Sequence, residues 1–128
     1  MNNSPRSKFL LLGVLIFLLL AVVFTESQTK FIRRFYDNVI MDNKNHYLQC
    51  DKLPAIADVT NVVEEHKNII EQIEQIHPGQ SGVEVDSLSC PGKADIVIWY
   101  ASHEDRIKIE QLIGNETFFG IPLRLQNR

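Results

Sequence analysis

The chain has 128 residues, 13 Lys and Arg against 16 Asp and Glu, a formal net charge of −3 and two cysteines. That length leaves room for one compact domain beyond any membrane segment. From Asp42 to Arg128 the balance is more acidic, eight basic residues against fourteen acidic ones, and the basic face that a nucleic-acid binder carries is missing, so nucleic acid is not an expected partner.

Residues 1–8 form a short tail containing Arg6 and Lys8, and the apolar run Phe9 to Phe24 follows without a charge or a proline. Its sixteen residues cover roughly 24 Å as a helix, and Thr25 and the snorkelling stems of Arg6 and Lys8 extend that reach toward the roughly 30 Å of a bilayer core. The run is apolar on every face, unlike a helix of a soluble core. A cleaved secretory signal shares the basic start but ends in a small-x-small site. The best triplet here, Thr25-Glu26-Ser27, is a poor one. The expectation is an uncleaved signal anchor over 9–25. Basic residues flank it on both sides, so the positive-inside rule returns nearly a tie.

Residues 26–44 read as an amphipathic juxtamembrane connector. Phe31, Ile32, Phe35, Tyr36, Val39 and Ile40 recur at helical spacing, while Lys30, Arg33 and Arg34 form a basic cluster suited to lipid headgroups. The same pattern also fits a membrane helix continued outward as a stalk. Asp42-Asn43-Lys44-Asn45 breaks it and marks a domain boundary.

The domain, 45–128, opens with a short strand over His46 to Cys50. A long helix follows from Pro54, with Ile56, Val59, Val62, Val63, Ile69, Ile70, Ile73 and Ile76 in one stripe and His66 in its gap, stopped by His77-Pro78-Gly79. Val83 and Val85 alternate with Glu84 and Asp86 as a half-buried second strand. Ala94 to Tyr100 is a third, apolar enough for burial on both faces, with Trp99 and Tyr100 pointing to opposite sides. Ser102 and Asp105 resemble a capping box, and Gly114 closes the helix they start. Phe118 to Leu125 is the last strand, and Pro122 within it argues for an edge.

Strand, helix, strand, strand, helix, strand resembles the ferredoxin-like α+β plait over about Asn45 to Gln126. That fold implies a four-stranded antiparallel sheet with two helices on one face and the spatial order fourth, first, third, second. Cys50 at the exit of the first strand and Cys90 at the entrance of the third would then lie together. A disulfide is the expectation for two cysteines in an exported domain, and it favours a cell-membrane protein with its C-terminal domain extracytoplasmic. Buried thiols or metal ligands are the alternatives.

No catalytic motif stands out. His103, Glu104, Asp105 and Arg106 are the densest polar cluster, readable as a site at a helix start or as a capped first turn whose acids suit the dipole. His46, His66 and His77 are scattered, and no metal or cofactor is expected. The reading favours an interaction or sensing module with the lipid bilayer, and possible protein partners, over a small membrane-bound enzyme or metal-binding domain using His103 and Glu104.

Overall fold

The computed structural model describes residues 5–128, and of the expected tail 1–8, residues 1–4 lie outside the described residues. The chain divides into two units, Met1–Phe35 and Tyr36–Arg128. In the first, helix α1 runs Pro5–Thr29, longer at both ends than the apolar run itself. Ser7–Thr29 is long and apolar enough to cross a membrane, and none of it is buried. At the helical rise, 25 residues span roughly 37 Å, beyond the hydrocarbon thickness that the run alone falls short of.

The helix does not continue as an unbroken stalk. Lys30 takes a left-handed φ of 53°, a conformation costly for a residue with a Cβ. The Glu26 carboxylate then accepts the amides of Ile32 at 2.6 Å and Arg33 at 3.0 Å. It thereby satisfies free donors at the start of a second helix, α2, Phe31–Phe35.

The second unit begins with a π-helical turn, Tyr36–Ile40, and a 3₁₀ turn, Cys50–Lys52. Helices α3 (Ile56–Glu65) and α4 (Lys67–Ile76) follow, then strands β1 (Gly82–Asp86) and β2 (Asp95–Tyr100). Helix α5 (His103–Ile113) and strands β3 (Thr117–Phe118) and β4 (Ile121–Asn127) complete the chain. The long helix expected from Pro54 is thus two helices. Its interruption falls at His66, the gap in the apolar stripe, where φ −115° and ψ 30° leave the helical region. The imidazole stacks on Phe119 with ring centroids 3.6 Å apart.

The sheet order is β1-β2-β4-β3. β1 pairs antiparallel with β2, β2 pairs parallel with β4, and β4 pairs antiparallel with β3. This is a mixed α+β domain on an open four-stranded sheet, and it is not the expected plait. No strand forms over His46 to Cys50; Tyr47 has a φ of 55° there, which breaks an extended ladder. The place beside β2 is taken instead by β4, reached through α5, the long crossover that parallel strands require. The expected last strand folds on itself at Phe119-Gly120, both with positive φ, the requirement of a tight two-residue hairpin turn. Pro122 is therefore not on an edge. It pairs with Thr117 of β3, and the β2 ladder begins one residue later, at Leu123 opposite Ile96, so the missing proline N–H is not needed there.

One face of the sheet builds the core. Ile96, Ile98 and Tyr100 of β2 join Leu123 and Leu125 of β4, Phe118, and Val59, Ile73, Ile109 and Ile113 from the helices in one buried cluster. The opposite face carries Glu84, Val97 and Arg124 in one row and Gly82, Trp99 and Gln126 in the next. A Cβ on Gly82 would lie 2.6 Å from the Trp99 ring, so glycine is what lets the indole lie over β1. Trp99 and Tyr100 do point to opposite sides, with Tyr100 wholly buried and Trp99 partly exposed.

Cys50 and Cys90 are joined at disulfide distance with their Cα atoms 5.4 Å apart, a separation that suits a bridge. Neighbouring first and third strands do not bring them together. The approach comes from the segment after Cys50, where Ala55 bridges Lys93 and the Ala94 amide donates to the Pro54 carbonyl at 3.1 Å. With the cysteines 40 positions apart in the sequence, Cys90→Ser is expected to lower unfolding free energy by about 2–4 kcal/mol. Denaturant titration checks this: reductant should cause the same loss in the native chain and none in the variant, whereas equal stability of the two chains would contradict it.

Candidate functional site

Helix α5 starts as its sequence requires. The Ser102 hydroxyl accepts the Asp105 amide at 3.2 Å, and Gly114 ends the helix in the left-handed conformation. The Asp105 carboxylate is turned elsewhere. It is buried and meets His77 Nδ1 at 3.0 Å, tying the C-cap of α4 to the first turn of α5. The His77 contact holds its carboxyl below the usual range against the opposing effect of burial.

The four residues His103 to Arg106 do not converge on one point, because successive helical residues project about 100° apart. Glu104 is exposed and pairs with Lys108 one turn on, at 2.8 Å. His103 and Arg106, three residues apart and so on one face, do meet, and what they meet is Asp42. His103 Nδ1 lies 2.7 Å from Asp42 Oδ1, and Arg106 Nη1 donates to the same oxygen at 2.9 Å. His103 is largely exposed, whereas the Arg106 side chain is only 7% exposed.

Around Arg106 the start of the second unit is gathered in. Its guanidinium also donates to the Asn38 side-chain oxygen and, at 3.3 Å, to Glu110. The buried Tyr100 hydroxyl donates to the Asp42 carbonyl, and Tyr47 donates to Asp37. The Asn127 amide donates to Asn43 Oδ1 at 2.7 Å, and Lys44 exchanges backbone bonds with Leu125 at 2.9 and 2.8 Å. Burial pushes the Asp42 carboxyl up, but hydrogen bonds and charge from His103 and Arg106 outweigh it and hold it low. The Tyr100 phenol is raised, by burial first and then by the Asp42 charge.

A second network lies on the outer sheet face. Asp95 is 2% exposed and receives a two-pronged contact from Arg124, Nε at 2.6 Å and Nη2 at 2.8 Å, the strong geometry for a guanidinium and a carboxylate. His46 Nε2 lies 2.8 Å from the same group. Arg124 also bonds Asp86 at 2.5 Å, and Asp86 accepts the amides of Leu88 and Ser89 and the Ser89 hydroxyl, ordering the loop that leads to Cys90. Among the described residues no buried side-chain nitrogen or oxygen lacks a partner.

Sequence reasoning singled out His103 and Arg106 but missed the residues that give them a role: Asn38, Asp42, Tyr100 and Asn127. The polar run at Asp42, which breaks the apolar pattern and marks a domain boundary in the sequence, is the available signal. Lys30 is the junction between α1 and α2, and Arg33 and Arg34 lie within α2, in the first unit. A shallow groove between α4 and α5, lined by Asn68, Glu71, Gln72, Gln75 and Lys108 among others, contains none of the expected site residues. No three His, Cys, Asp or Glu among the described residues are grouped to hold a metal. Compared with family models, curated proteins and solved structures, the chain matches none of them.

Burial raises the Asp95 carboxyl, and His46 and Arg124 more than offset it, leaving the group below its ordinary 3.8. Its contribution to stability is therefore present above the unfolded value and lost as pH falls through the lower folded one. Asp95→Asn should lower stability at pH 7 and flatten the loss between neutrality and about pH 2. Denaturation midpoints across that range check it, and parallel curves for the two chains would contradict it.

Proposed function

We propose that the chain is a single-pass, membrane-anchored module that presents its small α+β domain at the extracytoplasmic surface of the cell membrane, for interaction or sensing. The observation that carries this reading is the pairing, in one chain, of a fully unburied apolar helix over Ser7–Thr29 with a domain closed by Cys50 and Cys90 at disulfide distance. Disulfides persist in oxidising compartments, which favours the outer side for the domain. Lys30, Arg33 and Arg34, just past the helix, suit anionic headgroups. The alternative of a small enzyme using His103 and Glu104 draws no support from their placement, since the first is tied to Asp42 and the second points to Lys108.

A reporter fused after Arg128 tests the orientation. It should be reached by protease added outside intact cells, with both cysteines refractory to thiol labels until reductant is added. A protected reporter accompanied by free thiols would overturn the extracytoplasmic placement.

A further inference from the structure

The turn that opens the second unit is sorted inside out. Tyr36, Val39, Ile40 and Met41 are 53%, 59%, 61% and 48% exposed. Of their polar neighbours Asp37 and Asp42 are half-buried and Asn38 is exposed, yet all three bond into the domain: Asp37 accepts from Tyr47, Asn38 and Asp42 from Arg106. A segment facing only water sorts its residues the other way. The inversion is held by the backbone as well, with the Met41 amide on the Tyr36 carbonyl at 3.1 Å and the Asn43 amide on the Asp37 carbonyl at 2.7 Å. Four apolar side chains within six consecutive residues, Tyr36 to Met41, are thus left on the outside by a polar lock, more apolar exposure in one short segment than scattered surface apolars give.

We propose that Tyr36, Val39, Ile40 and Met41 form a foot that rests in the interfacial layer of the same bilayer that the preceding helix spans, so that the domain rides on the membrane surface. This rests on the reading of Ser7–Thr29 as a membrane anchor. Chain length selects the bilayer over a protein as occupant: Thr29 ends α1 and Tyr36 begins the turn, an interval whose fully extended reach is only about 25 Å. The intervening residues include Lys30, Arg33 and Arg34, whose charge anionic headgroups attract. A tyrosine beside aliphatic side chains is also the composition that settles at the boundary of headgroups and acyl chains.

The test uses the full chain reconstituted in phosphatidylcholine and phosphatidylglycerol vesicles, with brominated acyl chains as quenchers. An environment-sensitive fluorophore is placed at Ile40→Cys, at Val39→Cys in a second variant, and at Ile16→Cys in a third, the native cysteine pair being left oxidised. The expected result is bromine quenching with blue-shifted emission at positions 40 and 39 as well as at 16. Quenching at 16 with water-like emission at 39 and 40 would overturn the foot and leave the anchor standing. Blue-shifted but unquenched emission at 39 and 40 would overturn it in favour of a protein surface. No quenching at any position would remove both the anchor and the foot.

Discussion

The buried guanidinium of Arg106 is the contact on which the entry to the domain depends. It sits in the first turn of α5, 7% exposed, and reaches Asn38, Asp42 and Glu110 at once. Without it the Asp42 carboxylate would keep only the exposed His103 as a charged partner. Because Asp42 also anchors Tyr100 through its carbonyl, the lock couples the π-helical turn to the end of β2. The ten residues between the first unit and His46 are thereby part of the folded domain instead of a free linker.

Local signals carried most of the elements. The helical stripes on either side of His66, the alternation at Val83 and Val85, the Ser102 cap and Gly114 read through to the structure, because each is a short-range preference that the core then reinforces, whereas the single helix expected across His66 is two. What did not read through was the partner of β2. The apolar run Ile96–Trp99 suits a central strand with either an antiparallel or a parallel neighbour, but β4 supplies two inward leucines, Leu123 and Leu125, where His46–Cys50 could have offered Leu48 alone. More inward apolar surface wins that competition. Tyr47, left-handed at φ 55°, cannot be told from a strand residue by alternation over five positions. Phe119-Gly120 was the legible hairpin turn that went unread.

The polar chemistry obeys the same division. That Ser102 would cap α5 follows from its spacing to Asp105. That Asp105 would spend its carboxylate on His77, and Asp95 its own on Arg124 and His46, depends on tertiary approach across 28, 29 and 49 residues, which no local pattern records. Three of the four histidines lie against aspartates and the fourth against Phe119, so the imidazoles serve to join elements: the Asp42 segment to α5, α4 to α5, and the segment after Lys44 to the sheet.

Arg106 makes the turn Tyr36–Ile40 part of the folded domain through Asn38 and Asp42. Amide hydrogen exchange of the full chain in lipid vesicles tests it most directly, read at Met41 and Asn43, whose N–H groups bond Tyr36 and Asp37. Protection at both amides in the native chain, lost in Arg106→Gln while β2 stays protected, is the predicted result. Exchange at the rate of an unstructured peptide in the native chain would contradict it.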